Sequence, residues 1–173
     1  MTPITYPGAK WTPLVNHSQP GNIRERKLIV LHITEGSSAA SAIATFKASV
    51  HPHRVSAHFV IDRDGTVYQL VDLNDTAWHA STVNSRSVGI EHAATAEGLP
   101  ATEEQYAASA KLVAWLVNEL GIPLSRQFVR THYEASPVDG HVKCCTGGLD
   151  PDRVVTMAQV LSQTGSLPPP LPS

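Results

Sequence analysis

Lys27-Leu-Ile-Val-Leu-His-Ile-Thr34 is an aliphatic, β-branched run without helical spacing, and such a run reads as a buried strand. His32 near its end then sits at the rim of a sheet, where a ligand belongs. Downstream, Ser37 or Ser38 caps a short helix that carries Ile43 and Phe46 on one face and stops at His51-Pro-His53. Val55-Ser-Ala-His-Phe-Val-Ile61 and Thr66-Val-Tyr-Gln-Leu-Val71 flank Asp62-Arg-Asp-Gly65, whose Asp-Gly predicts a β-hairpin. Leu73 to Arg86 is polar and turn-rich and reads as a surface loop of the kind that carries function, with Trp78-His79-Ala80 inside it. Ser87-Val-Gly-Ile-Glu-His92 resumes as a short strand. Thr102-Glu-Glu-Gln105 is a capping box, and Tyr106, Ala110, Val113, Val117 and Leu120 keep helical spacing until Gly121 and Pro123. A strand is expected over 127–131, and Asp150-Pro151 caps a last helix to about Ser162. Strands with interspersed helices and one hairpin predict a mixed α/β fold, a central sheet covered by helices on its faces.

The chain has 173 residues, enough for one domain with a sizeable core. Hydrophobic residues make up 42% and charged residues 16%, with a formal charge of −2, so there is no basic footprint for nucleic acid. No apolar stretch is long enough to span a membrane. The expected organisation is an extended N-terminal arm over 1–26, anchored by Trp11, a catalytic domain over 27–163, and a proline-rich tail over 164–173. A monomer is expected. The start, Met1-Thr-Pro-Ile-Thr-Tyr-Pro7, lacks the basic and apolar segments of a signal peptide, so synthesis for the cytoplasm, or release by another route, is the expectation.

His132-Tyr-Glu-Ala-Ser-Pro-Val-Asp-Gly-His-Val-Lys-Cys-Cys-Thr-Gly-Gly-Leu-Asp150 holds two histidines, a lysine and both cysteines of the chain. Adjacent cysteines do not easily bridge to each other, which favours metal binding over a disulfide. A zinc site that does chemistry takes three protein ligands and keeps one open position. His132 and Cys145 are candidates, His32 is the best third, and His141, three residues clear of Cys145, is the rival. His51-Pro-His53 has ligand-like spacing but sits in a loop, and His58 packs within the sheet or shapes the floor of a site.

In order along the chain, Val30-Leu-His-Ile-Thr34, Ser56-Ala-His-Phe through Tyr68-Gln-Leu70, Trp78-His-Ala80, Ser87-Val-Gly-Ile-Glu91, Thr131-His-Tyr-Glu-Ala-Ser-Pro137 and Lys143-Cys-Cys145 with Leu149-Asp150 resemble the zinc-dependent N-acetylmuramoyl-L-alanine amidases of the phage lysozyme and peptidoglycan recognition protein type. The resemblance covers roughly residues 27–161. It implies a peptidoglycan-recognition-protein-like fold and Zn2+ held by His32, His132 and Cys145. Lys143, two residues before the last ligand, matches the family's catalytic lysine and selects Cys145 over Cys144. Glu91 matches the glutamate that manages protons, and Trp78 and His79 lie along the substrate groove, with His58 beside them. The implied reaction is hydrolysis, by zinc-activated water, of the amide between N-acetylmuramic acid and L-alanine in peptidoglycan or a muropeptide. Its setting is either endolysin-like attack on the wall or trimming of cytoplasmic fragments.

Two features depart from the pattern. Thr146 stands where proline usually follows the cysteine, and Val138-Asp-Gly-His141 lengthens the segment before Lys143. Two other readings compete: a peptidoglycan-binding module that does not cut, and a cysteine peptidase of wall peptides using Cys144 or Cys145. The first typically lacks the cysteine ligand. The second wants its nucleophile at a helix start, where Gly147-Gly148 makes a poor first turn.

Overall fold

A computed structural model of the chain describes residues 2–18, 25–140 and 147–165. Its centre is β3 (Leu28–Ile33), every residue of which is buried. Such a strand needs cover on both faces, the usual condition of a parallel sheet. β3 runs parallel to β7 (Ser87–His92) on one side and to β8 (Val129–Thr131) on the other. Beyond β7 the sheet continues through β4 (Phe59–Ile61), parallel to β7, and β5 (Val67–Gln69), antiparallel to β4. It ends at β1 (Ala9–Trp11), parallel to β5, giving six strands in the order β1-β5-β4-β7-β3-β8.

The pleat assigns each strand's residues alternately to two faces. Ile29, Leu31 and Ile33 of β3, Val88 and Ile90 of β7, and Phe59 and Ile61 of β4 join the main core with α2 (Glu103–Leu120) and α4 (Pro151–Thr164). On the other face Leu28 and Val30 meet Ala80 and Val83, while Val60 packs with Ile43 and Phe46 of α1 (Ala39–Ala48). By the same alternation His32, Ser87, Gly89 and Glu91 belong to this second face. The mixed sheet covered by helices on both faces is the architecture expected from the sequence. Among the described residues no helix is long and apolar enough to cross a membrane.

Local signals account for the elements. Ser38 caps α1, Thr102 and Gln105 close a full capping box on α2, Gly121 ends α2 in the left-handed region at φ 61°, and Asp150 caps α4. The hairpin turns through Gly65 at φ 81°, where a Cβ would stand 2.9 Å from the Glu104 carbonyl oxygen. Glycine is therefore required both by the turn and by the helix it touches.

Two regions differ from expectation. The N-terminal arm is part of the sheet through β1, and its anchors are Tyr6 and Leu14, both buried, whereas Trp11 is 41% exposed. Tyr6 stacks at a tilt on Trp115, with centroids 5.2 Å apart, and its N–H donates to Gln69 Oε1 at 2.8 Å. Second, residues 73–86 are not a loop lying on the surface: Leu73, Ala77, Ala80 and Val83 are fully buried. This stretch holds β6 (Thr76–Ala77), paired antiparallel with β2 (His17–Ser18), and a 3-10 turn over Ser81–Arg86. Arg26, 1% exposed, donates to the carbonyls of Leu73, Asn74, Asp75, Asn84 and Ser85. A buried guanidinium satisfies the backbone groups that made the stretch look like solvent-facing loop.

Candidate active site

The parallel register of β3 and β7 places His32 opposite Glu91, both on the face away from α2 and at the carboxyl ends of their strands. Crevices at the carboxyl ends of parallel strands are where open α/β sheets bind ligands. His132, the first residue of α3 (His132–Ala135), joins them. Its turn is held by Thr131 and Glu134, whose side chains and backbones cap each other reciprocally. The His32 and His132 rings lie edge to face with centroids 4.9 Å apart. A groove of about 790 Å3 is lined by both, by Glu91, Trp78 and His79, and by the acidic Glu35 and Glu97 at its rim. Lys143 and Cys145, with His141 and Cys144, lie outside the described residues.

The imidazoles are tied into a network. His32 Nε2 and His79 Nδ1 share a hydrogen bond of 3.0 Å, and His79 Nε2 lies 3.1 Å from Ser87 Oγ. His132 Nε2 donates to Asp139 Oδ2 at 2.9 Å. Burial pushes the Asp139 carboxyl up, but hydrogen bonds from His132, Ser136 and Ser81 outweigh it and hold it below its ordinary value. His79 is held neutral, its pKa lowered well below the ordinary imidazole value first by burial and then by His32, His58 and His132 around it. Behind the site, His92 Nδ1 donates to the His32 carbonyl at 2.9 Å and its Nε2 accepts from Ser109 of α2 at 2.9 Å.

His58 corrects the expectation that it contacts substrate. It is 0% exposed, its Nδ1 accepts from the Gly89 N–H at 3.1 Å, and its Nε2 donates to the Asp75 carbonyl at 3.1 Å. The ring is a strut between β7 and the 73–86 stretch, with both nitrogens committed to backbone. Trp78 and His79 do line the groove. Trp78 is clamped by Ser56, whose N–H donates to the Trp78 carbonyl and whose hydroxyl accepts from the Trp78 N–H. Asn84 Oδ1 accepts from the N–H groups of both His79 and Ala80, at 2.9 and 2.7 Å. His79 spends its ring nitrogens on protein partners, so it offers a groove wall in place of a polar handle.

Asp139, Ser87, Asn84 and Arg26 support the site and were not singled out by the sequence. Asp139 falls in the lengthened segment, and Ser87 opens the Ser-Val-Gly-Ile-Glu motif, so two of them had a local signal. Arg26 has none, because its acceptors are backbone carbonyls 47 or more positions away; Asn84, only four and five positions beyond its partners, sits in the stretch whose polarity reads as surface loop.

His32 and His132 present two imidazoles at one end of the groove, each with Nε2 hydrogen-bonded to a neighbouring side chain. That is the outer-sphere arrangement metal-ligating histidines usually have, and the pair suits a zinc ion. Among the described residues no group of three or more His, Cys, Asp or Glu that could hold a metal is found; the expected third ligand, Cys145, lies outside them.

The family model for N-acetylmuramoyl-L-alanine amidases matches residues 22–151. Among curated proteins the chain is similar to N-acetylmuramoyl-L-alanine amidase A of Achromobacter lyticus, at 33% identity over 91 residues, 51% of this chain and 49% of that protein. It is also similar to the 1,6-anhydro-N-acetylmuramyl-L-alanine amidase AmpD of Haemophilus influenzae, at 38% identity over 72 residues, 37% and 39% of the two chains. The matches thus span about half, or less, of these relatives. In fold the chain resembles the crystal structure of an AmpD selenomethionine derivative, with TM-score 0.71, 24% identity, and 88% and 96% of the two chains covered. The amidase LysC of Clostridium intestinale follows with TM-score 0.66, 19% identity, and 89% and 99% covered.

Proposed function

Because the chain belongs to the N-acetylmuramoyl-L-alanine amidase family, we propose that it hydrolyses the amide joining the lactyl group of N-acetylmuramic acid to L-alanine of the stem peptide. The observation that carries this reading is the β3–β7 register, which sets Glu91 beside His32 on a groove wall that also holds His132. Zinc held by His32, His132 and Cys145 would supply a water acidified toward neutrality and a Lewis acid for the scissile carbonyl.

The remaining work falls to the chain. Glu91 takes the proton of the attacking water and returns it to the leaving α-amine of L-alanine, the two-way transfer that amide hydrolysis requires. Lys143 donates to the carbonyl oxygen as negative charge develops there. Trp78, held by its Ser56 clamp, gives the groove a flat apolar wall against which a sugar ring or peptide lies. Glu35 and Glu97 make the rim acidic. The substrate is either wall polymer or a soluble muropeptide, and the test uses both.

The test is release of new L-alanine amino groups from purified peptidoglycan and from an isolated muropeptide, with and without chelator. Release that is abolished by chelator, restored by zinc, and absent in a Glu91→Ala variant that still binds zinc supports the amidase. Wall binding without amino-group release at any zinc content overturns it in favour of a recognition module. Cleavage that survives chelation overturns the metal-dependent reading and points to a cysteine nucleophile.

A further inference from the structure

The direction of each hydrogen bond from Val83 to His32 follows from counting hydrogens. The Ser87 hydroxyl has one hydrogen, and its Oγ lies 2.7 Å from the Val83 carbonyl oxygen, which only accepts. Ser87 therefore donates to Val83 and accepts from His79, so the His79 Nε2 at 3.1 Å carries a hydrogen. In a neutral ring the other nitrogen is then bare, and His79 Nδ1 accepts. Its partner at 3.0 Å, His32 Nε2, must be the donor. Neutral His32 is thereby held as the Nε2–H tautomer, with the lone pair on Nδ1.

A separate partner sets the same choice at His132. Its Nε2 faces the Asp139 carboxylate at 2.9 Å, which when ionised only accepts, so the lone pair of His132 also falls on Nδ1. The fold makes room for this arrangement. A Cβ on Gly89 would stand 2.5 Å from His79 Cγ and 2.7 Å from its Nδ1, so β7 has no side chain where the His79 ring lies. The Asn84 carboxamide oxygen fixes the same residue through its N–H.

We propose that His79 is a positioning residue: through the chain Val83, Ser87, His79 it fixes His32 in the Nε2–H tautomer and so selects Nδ1 as the atom that His32 offers to a metal. The proposal deepens the zinc-amidase reading and rests on it for the metal, but the tautomer itself is a property of the metal-free chain. Glycine at 89 is the structural condition for it.

The experiment is a long-range proton–nitrogen correlation spectrum of the metal-free full chain labelled with 15N in histidine, beside a zinc-competition titration of the same samples. The native chain is expected to show His32 protonated at Nε2. A His79→Asn variant, whose amide oxygen can take the place of Nδ1 as acceptor, is expected to keep that tautomer. A His79→Leu variant is expected to mix the two tautomers and to bind zinc about 10–100-fold more weakly. Ser87→Ala supplies the second handle should the His79 variants misfold: with no acceptor at Nε2, His79 can turn its hydrogen toward His32 and shift it to Nδ1–H. Rescue by Asn but not Leu separates positioning from mere packing. A native His32 protonated at Nδ1, or zinc affinity unchanged in both His79→Leu and Ser87→Ala, overturns the proposal. Both readouts are taken without substrate, so a chain that cuts no wall sinks the amidase reading and not this one.

Discussion

The two faces of the central sheet are built from the same strands yet obey different rules. Toward α2 and α4, β3 and β7 present Ile29, Leu31, Ile33, Val88 and Ile90, a close-packed apolar layer whose one polar member, His92, is bonded on both ring nitrogens. On the other face, beyond Leu28 and Val30, the residues nearest the groove are His32 and Ser87, both hydrogen-bonded to His79, Gly89, which leaves room for the His79 ring, and Glu91, which lines the groove itself. One face gives the fold its stability, and the other uses the rigidity of that layer to hold polar groups at fixed separations. The comparison teaches that substitutions one residue apart on a strand should fail in different ways.

The sharpest break comes at Glu91. Glu91→Gln keeps volume and removes the proposed base, so turnover is expected to fall about 10²–10⁴-fold while the urea midpoint stays close to native. Amino-group release and denaturant unfolding on one preparation check both halves. A large drop in midpoint would mean that Glu91 belongs to the structural face after all.

On the opposite face the pattern inverts. Leu31 is 0% exposed in the main core, and Leu31→Ala is expected to cost about 2–5 kcal/mol through lost transfer energy and the cavity left behind. What survives folded should turn over at near-native rate per folded molecule. Equal losses of rate and stability would show that the layer and the site are not separable.

Asp139 sits between these extremes. Asp139→Ala leaves the His132 Nε2–H without its carboxylate, and zinc affinity is expected to fall about 10–100-fold with little change in the unfolding midpoint. A competition titration against a chromophoric chelator reads this directly. Unchanged affinity would separate His132 from the metal.

The same contrast explains what could be read beforehand. β3, the hairpin and α2 were legible because apolar periodicity and caps are local, and those elements appear where the spacing puts them. The motifs around His32, Glu91 and His132 were legible as well, and the fold brings these residues to one groove. Residues 73–86 look like surface loop in sequence because their polarity is satisfied internally by Arg26, which lies 47 or more positions away from its acceptors. Trp11, a large aromatic in the arm, suggests an anchor, but it is Tyr6 that fits against Trp115. Asp139, Ser87 and the strut His58 owe their roles to partners that only folding supplies, and residue type alone does not reveal a hydrogen-bond direction.

His58 bridges the two regions and gives the gentlest test. Burial first, then the Arg26 charge, push its pKa down to about 3, although the bond to the Asp75 carbonyl opposes this. In the unfolded chain it titrates near the ordinary imidazole value, so between these two values the unfolded state binds a proton that the native state does not. Its contribution is therefore fully present above about pH 6.5 and is lost as pH falls toward 3, at up to about 1.4 kcal/mol per pH unit. Relative to native, His58→Asn should be less stable at pH 7 but lose less on acidification, so that the two curves of unfolding free energy converge between about pH 6 and pH 4. Parallel curves would mean that His58 takes up its proton within the folded protein. The strut between β7 and the 73–86 stretch would then tolerate a charge, and the separation between a rigid layer and the site it carries would be looser than this geometry implies.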